Sequence, residues 1–248
     1  MSPETLALEV DEVSVRFGGN LALEDASFSA RPSEITGLIG PNGAGKTTMF
    51  NVITGLLTPT SGRIRLDGRD VTDLKLHKRA RAGLARTFQR LELFSMLTVR
   101  ENIRVAADTR KRWARDNDDP GQLTESIIER VGLTPVADAR VTSLPTGQGR
   151  LVELGRALAC KPRVLLLDEP ASGQDDNETA RFGELLVALA KEGTAVVLVE
   201  HDMSLVMDVC DQLFVLNLGR MIAHGEPTSV QHDQAVLDAY LGTTRTVA

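Results

Sequence analysis

Hydrophobic and polar residues alternate along the first part of the chain, and this pattern predicts β structure. Positions 6–17 (LALEVDEVSVRF) alternate in the manner of a half-buried strand. Positions 24–40 contain two further apolar runs with a turn at 31–34, and positions 63–68 (RIRLDG) predict another short strand. Apolar residues between positions 47 and 57 recur at helical spacing instead. The chain therefore begins with β-rich structure around one helix.

The hydrophobic pattern changes in the middle of the chain, where strand-like runs are nearly absent. From about position 75 to position 159, apolar residues recur at helical spacing and predict three or four helices. Polar stretches near 116–121 and 134–142 separate these helices. We therefore expect an inserted helical part.

Two short, continuous apolar runs follow, at positions 163–170 (RVLLLDEP) and 195–202 (AVVLVEHD), with a helical pattern at 176–193 between them. Such runs are typical of parallel strands that are covered on both faces and joined by a crossover helix. A strand pair at 211–225 and a short helix at 229–242 are predicted to complete the chain. The fold class is α/β, with a mostly parallel sheet, an antiparallel β subdomain and an inserted helical subdomain.

The segment GPNGAGKT, from Gly40 to Thr47, matches the pattern GxxxxGK[ST] between a predicted strand and a predicted helix. Glycines let consecutive backbone N–H groups turn toward an anion, and the helix that follows directs its positive end at phosphates. Lys46 is expected to contact the β- and γ-phosphates, and the Thr47 hydroxyl to bind Mg²⁺. The segment predicts a P-loop NTPase core, with phosphate contacts from Gly40, Pro41, Asn42, Gly43, Ala44, Gly45, Lys46, Thr47 and Thr48.

The strand VLLLDE at 164–169 places two carboxylates at the end of a buried strand. Ligand sites in parallel sheets form at the carboxyl ends of the strands. We expect Asp168 to hold Mg²⁺ through water and Glu169 to polarise the attacking water.

Composition and charge restrict the functional classes. The chain has 248 residues, 42% of them hydrophobic, which suffices for a sizeable core. Its formal net charge of −6 argues against bulk nucleic-acid binding. Cys160 and Cys210 lack metal-ligand spacing and are expected to be reduced. No apolar run approaches the ~20 residues of a membrane span, so we expect a soluble cytoplasmic protein whose membrane role would need a partner.

The motifs together resemble those of the ATP-binding cassette ATPases, the motor subunits of ABC transporters, over about positions 6–242. Their order and spacing are more specific than any single motif. In chain order they are Phe17 in VRFGG, the P-loop, Gln89 in ARTFQR, the signature LPTGQ (144–148), LLLDEP, SGQD (172–175) and His201 in VLVEHD.

The resemblance implies a role for each matching residue, with ATP and Mg²⁺ as cofactors. Phe17 would stack on adenine, Gln89 would contact Mg²⁺ and the attacking water, Glu169 would be the catalytic base, and His201 would contact the γ-phosphate. The alternatives are a core aromatic for Phe17, a surface glutamine for Gln89 and a satisfied loop histidine for His201.

In this family two cassettes pack head to tail, and ATP lies between the P-loop of one and the signature of the other. The resemblance therefore implies that Thr146, Gly147 and Gln148 contact the partner's nucleotide. Pro145 stands where the family usually has serine, and we expect it in the first turn of a helix, where proline is tolerated. Gln174 replaces the usual leucine. Both departures lie in segments that would face the partner cassette, whereas the motifs of the chain's own ATP site are complete.

Six basic residues without an acidic neighbour lie between positions 75 and 90. One interpretation is a nucleic-acid face. We favour a solvated helix that leads to the Gln89 loop and the docking groove for a membrane subunit, because the chain is acidic and this stretch has one aromatic residue. A second basic stretch, TRKRWAR at 109–115, precedes three aspartates and is expected to form a locally neutral, exposed helix end.

Within the family the segments at 77–89 and 198–203 and the short tail look most like ATPases of branched-chain amino-acid importers. Urea, amide or lipid-type transporters, and soluble ABC ATPases of DNA repair or translation, are the alternatives. The expected partners are a second ATPase subunit, identical or related, transmembrane permease subunits and an extracytoplasmic solute-binding protein, without nucleic acid. We expect one ABC ATPase domain (1–248), peripheral on the inner face of the membrane, with a core at about 1–90 and 160–248 and a helical subdomain at about 91–159.

Overall fold

A computed structural model describes residues 6–241, so the predicted end of the last helix at position 242 lies outside the described residues. The strands are β1 (Leu8–Phe17), β2 (Asn20–Ala30), β3 (Ile35–Ile39), β4 (Ser61–Leu66), β5 (Arg69–Asp70), β6 (Leu84–Arg86), β7 (Val164–Asp168), β8 (Ala195–Val199), β9 (Gln212–Asn217) and β10 (Arg220–Gly225). The helices are α1 (Lys46–Thr54), α2 (Leu76–Arg81), α3 (Val99–Lys111), α4 (Pro120–Arg130), α5 (Thr146–Leu158), α6 (Asp176–Lys191), α7 (Met203–Val209), α8 (Pro227–Gln231) and α9 (Gln234–Leu241).

The strands form two sheets, as the hydrophobic pattern predicts. An antiparallel sheet has the order β2-β1-β4-β5, and a six-stranded sheet has the order β10-β9-β3-β8-β7-β6. The larger sheet is parallel from β9 to β6, and β10 adds an antiparallel edge. The mostly parallel α/β fold is confirmed.

The chain segment between β6 and β7 contains α3, α4 and α5, which confirms the inserted helices. Thr98 and Glu101 form a capping box at the start of α3, and Asp119 caps α4 just before Pro120. The short strand β6 lies inside the stretch where the pattern predicts helices and almost no strands. With only three residues, β6 is too short for its periodicity to be recognised.

Hydrophobic cores lie on both faces of the large sheet. One contains residues of α3 to α6, and the other is closed by α1 and the antiparallel sheet. The fully buried Met49 and Phe50 anchor α1. This helix ends at Thr54, before the predicted position 57, because Gly55 adopts a left-handed backbone with φ 78°.

Three expectations about the surface and the tail are wrong in part. Arg79, placed on a solvated helix, is buried, because its guanidinium donates to backbone carbonyls beneath α2. Arg110, expected at an exposed helix end, is buried against Asp116 and Asp118, although the expected pairing with these aspartates does form. The helix predicted at 229–242 is instead two short helices, α8 and α9.

Within residues 6–241, no helix combines the length and the apolar character that crossing a membrane requires.

Candidate functional site

The loop from Gly40 to Gly45 joins the buried strand β3 to α1. Gly40 has φ 151° and Gly45 has φ 113°. A side chain at Gly40 would place its Cβ 2.0 Å from the Leu216 carbonyl oxygen, and one at Gly45 would lie 2.9 Å from that of Ala22. Both positions therefore require glycine for backbone conformation and for space. The loop ends where α1 directs its N-terminus outward.

Lys46, the first residue of α1, lies across this loop. Its Nζ donates to the carbonyl oxygens of Gly40 at 2.5 Å and Pro41 at 3.0 Å. Burial lowers the pKa of Lys46, and the nearby carboxylates of Glu169 and Asp168 act in the opposite direction. A cation and a helix N-terminus thus meet at one place, as an anion site requires.

Glu169 follows β7 directly and is held from two sides. The Gln89 Nε2 donates to its Oε2 at 2.9 Å, and the His201 Nε2 lies 3.0 Å from its Oε1. Glu169 has a left-handed backbone, with φ 49°, which is uncommon for a residue other than glycine. The three predicted catalytic side chains are thus in direct contact.

These side chains face the P-loop across one cavity of about 270 Å³. The cavity is lined by Asn42, Gly43, Ala44, Gly45, Lys46, Thr47, Thr48, Gln89, Glu169, Val199 and His201. Gln89 and His201 therefore have partners in the site, which disfavours the surface-glutamine and loop-histidine alternatives.

Asp168 lies behind this cavity and is buried at the end of β7. Its Oδ2 accepts a hydrogen bond from the Arg86 guanidinium at 2.7 Å. Mg²⁺ prefers oxygen ligands and is usually bound through one or two carboxylates together with substrate phosphates. The Thr47 hydroxyl, the Gln89 amide oxygen and the two carboxylates are oxygen ligands of this kind. These residues therefore fit Mg²⁺ once a nucleotide supplies phosphate oxygens.

Phe17 and the signature residues lie outside this cavity. Phe17 ends β1 and is 52% exposed, which contradicts the alternative of a core aromatic. Thr146, Gly147 and Gln148 form the first turn of α5. These three residues do not line the chain's own P-loop cavity. This position agrees with the expectation that they contact the nucleotide of a partner cassette.

Pro145 occupies the N-cap position of α5, with φ −57° and ψ 155°, one residue before the first turn in which we expected it. A proline side chain has no acceptor atom, so it cannot cap the helix as serine would. The neighbouring turn is packed against α6. A Cβ on Gly147 would lie 2.8 Å from a carboxylate oxygen of Glu178, and one on Gly173 would lie 3.4 Å from the Thr146 methyl carbon.

Two buried side chains of α5, Arg150 and Glu153, contact the loop that follows β6 and carries Gln89, here called the Gln89 loop. Neither residue was identified from the sequence. The Arg150 guanidinium donates to the carbonyl oxygens of Phe88 at 2.8 Å and Gln89 at 2.5 Å. The Phe88 N–H donates to Glu153 at 3.1 Å. Burial raises the pKa of Glu153. The only sequence signal is a pair of charges on the apolar face of a predicted helix.

Glu200, also missed, connects the segments that follow β7 and β8. Its carboxylate accepts hydrogen bonds from the Ala171 N–H at 2.7 Å and the His201 N–H at 3.0 Å. Burial raises the pKa of Glu200. The backbone of His201 is thereby fixed relative to the residues just after Glu169.

A groove of about 280 Å³ lies beside the Gln89 loop. Its lining includes Leu76, Leu84, Phe88 and Ala106 together with Arg86, Glu153 and Arg156. Leu76 and Phe88 are exposed there, and Leu91, Phe94 and Met96 are exposed in the segment that continues from this loop. Apolar side chains of this size on a surface are typical of a protein interface.

The P-loop, the parallel sheet behind it and the facing carboxylate define a P-loop nucleotide-binding domain. The family model for the ABC transporter matches residues 23–172, and the model for the branched-chain amino acid ATP-binding cassette transporter matches residues 220–245. The chain thus belongs to the ABC transporter family as an ATP-binding subunit of the ATPase type.

Individual relatives agree with this assignment over nearly the whole chain. The high-affinity branched-chain amino acid transport ATP-binding protein BraF of Pseudomonas aeruginosa is 38% identical, covering 95% of this chain and 97% of BraF. The crystal structure of a nucleotide-free ATP-binding cassette from an ABC transporter matches with a TM-score of 0.85 and 28% identity, over 96% of this chain and 99% of that one. A dimeric post-hydrolysis cassette bound to ADP and Pi matches with a TM-score of 0.79 and 26% identity, over 89% and 98%.

Proposed function

We propose that this chain binds ATP with Mg²⁺ at the P-loop cavity and hydrolyses it with Glu169 as the catalytic base. One observation carries this proposal: Gln89 and His201 hold the Glu169 carboxylate from both sides while it faces Lys46 and Thr47 across one cavity. A base that is fixed on both oxygens and directed at a phosphate site suits the activation of water for attack on phosphorus.

The other residues have supporting roles. Lys46 and the backbone N–H groups of the loop bind the phosphates, and Thr47, Asp168 and Gln89 hold Mg²⁺. His201 contacts the γ-phosphate, and the exposed ring of Phe17 stacks on adenine. When bound, Mg²⁺ neutralises charge that develops on the phosphate oxygens.

The working unit is a pair of cassettes, in which Thr146, Gly147 and Gln148 bind the partner's nucleotide. Support comes from the lining of the chain's own cavity, which does not include this turn, and from the dimeric relative bound to ADP and Pi. The partner is either a second copy or a related ATPase.

The transporter imports branched-chain or related amino acids. Support comes from the family model at 220–245 and from the similarity to BraF. The pair docks on transmembrane permease subunits at the inner face of the membrane, through the groove beside the Gln89 loop, and the full system uses an extracytoplasmic solute-binding protein. The chain is one ABC ATPase domain, with its core at about 1–90 and 160–248 and its helical subdomain at about 91–159.

The catalytic proposal is tested with Lys46→Ala. Loss of the only lysine in the P-loop should lower steady-state ATP hydrolysis by at least about a hundredfold, because the phosphates lose their fixed counter-charge. ATP turnover is measured on the purified chain and on its complex with the permease. Lys191→Ala removes an exposed lysine of α6 and should leave turnover unchanged. Normal hydrolysis by Lys46→Ala would contradict the assignment.

The substrate proposal needs a separate measurement. In proteoliposomes that contain the complete transporter, labelled leucine, isoleucine or valine should accumulate only with ATP, and excess urea or acetamide should not compete. Transport of urea or amides in place of amino acids would reject the substrate while leaving the ATPase assignment intact.

A further inference from the structure

Arg86 is a buried cation behind the nucleotide cavity, and only 6% of its side chain is exposed. One guanidinium nitrogen donates to Asp168 Oδ2 and another to the Asn51 side-chain oxygen, each at 2.7 Å. The guanidinium lies 5.3 Å from the ring centre of Phe50 and 4.9 Å from that of Phe88. Arg86 therefore has one fixed position, which contacts α1, β7 and the Gln89 loop.

Two cations lie beside Asp168 and Glu169. The cations are Lys46 and Arg86. Two further titratable groups lie at Glu169: His201, whose ring contacts it, and the buried Glu200, which interacts with it electrostatically. Each cation beside these carboxylates opposes the binding of a free divalent cation.

The same cluster without Arg86 would have excess negative charge. Asp168 and Glu169 are consecutive, and Glu169 lines the cavity together with Thr47. Their carboxylates and the Thr47 hydroxyl are hard oxygen ligands of the kind that a divalent cation uses. Arg86 takes up one of the four carboxylate oxygens and supplies the charge that opposes such binding.

We infer that Arg86 is a positioning residue that orients Asp168 and prevents these carboxylates from binding a divalent cation until a nucleotide supplies phosphate oxygens. Metal then enters the site together with ATP and leaves with the products. This inference rests on the nucleotide site proposed above. It assigns a role to a residue of the ARTFQR segment to which the sequence analysis gave none.

The test uses Mn²⁺ as a probe, because it occupies oxygen-ligand sites of the Mg²⁺ kind and free Mn²⁺ is counted by electron paramagnetic resonance. Nucleotide-free protein is titrated. The unmodified protein should bind Mn²⁺ only weakly, whereas Arg86→Met should gain one site with affinity at least about tenfold higher. Adding Asp168→Asn to Arg86→Met should remove that site again.

Two control variants separate charge from general disturbance. Arg86→Lys keeps a cation and should behave like the unmodified protein. Arg163→Met also frees a carboxylate, that of Asp67, but far from the nucleotide cavity, and should gain no such site. Thermal unfolding gives a second readout, because Mn²⁺ should raise the melting temperature of Arg86→Met more than that of the unmodified protein.

Arg86→Gln keeps a hydrogen-bond donor for Asp168 without the charge, and it replaces the methionine variant if that variant does not fold. Folded Arg86→Gln or Arg86→Met protein without increased Mn²⁺ affinity would overturn the inference. Binding of fluorescent ATP to the unmodified protein is measured in parallel. If ATP does not bind, the proposed function fails; if ATP binds and the variants gain no metal site, this inference alone fails.

Discussion

Arg79 shows how a single buried charge can support a catalytic element. Its guanidinium donates to the carbonyl oxygens of Val52 at 2.6 Å and Ile53 at 2.7 Å, in the last turn of α1. It also donates to Thr72 at 2.6 Å and Leu74 at 2.9 Å. A cation at a helix C-terminus interacts favourably with the helix dipole. The helix that carries the P-loop lysine is therefore fixed at its far end by Arg79.

We predict that Arg79→Met lowers the free energy of unfolding by at least about 3 kcal/mol, since each buried carbonyl left without a donor costs about 1–3 kcal/mol. Urea denaturation measures the change. Lys78→Met alters the exposed neighbour on the same helix and should change stability by less than about 0.5 kcal/mol. Equal stability of the two variants would contradict the role of Arg79.

Single residues differed in how well the sequence predicted them. Gly40, Lys46 and Glu169 lie in contiguous motifs, so the local sequence identifies them. Arg79 lies in a basic stretch and Arg86 in a mixed one, and their burial depends on partners in α1 and β7. A basic residue at a given sequence position looks the same whether tertiary contacts bury it or not.

Helix α5 and the Gln89 loop form one unit at the scale of elements. Arg150 binds the loop backbone, and Arg156 donates to the Glu92 carbonyl while lying 4.5 Å from the ring centre of Phe94. The loop side chain of Gln89 contacts Glu169, whereas the first turn of α5 is the signature. A displacement of the loop would therefore act on the helix whose first turn we propose to bind the partner's nucleotide.

We predict that Arg150→Met loosens this loop, because two carbonyl oxygens and the Glu153 carboxylate lose their donor. Hydrogen exchange of the amides at 87–90 should accelerate at least about tenfold, and ATP turnover should fall because Gln89 no longer holds Glu169. Arg112→Met, at an exposed position after α3, is the control and should change neither. Unchanged exchange at 87–90 in Arg150→Met would show that the helix does not hold the loop.

Most elements followed from periodicity, and the exceptions have local causes. The pattern predicts β7, β8 and α6 well because each is long or uniformly buried. It misses β6, whose three residues acquire their strand geometry by pairing with β7. At the level of the site, the sequence predicts that the P-loop and β7 meet, but not that α5 fixes the Gln89 loop.

In the proposed pair of cassettes the N-terminus of α5 meets the partner's nucleotide, and Pro145 stands there where the family resemblance leads us to expect serine. We predict that Pro145→Ser strengthens ATP-driven pairing, because a serine hydroxyl adds a hydrogen bond to the partner's phosphate. Such a bond to a charged group contributes about 1.5–3 kcal/mol, equivalent to about tenfold or more in affinity. Light scattering in a Glu169→Gln background, which should trap closed pairs, measures the ATP concentration at half-maximal pairing.

The control for this prediction is Pro135→Ser, the same chemical change at an exposed turn after α4. It should leave pairing unchanged, and ATP affinity of the single chain should be equal in all variants. If Pro145→Ser pairs no better than its parent, the missing hydroxyl has no effect on the trans contact.

At Glu169 the left-handed backbone lowers the stability of the fold, while the side chain supplies the carboxylate of the proposed site. A non-glycine residue in this conformation costs the folded state about 1–2 kcal/mol. Glycine would relieve that cost and would also remove the carboxylate that faces the P-loop. Selection for thermal resistance alone would therefore favour glycine at position 169, whereas the proposed function requires the glutamate.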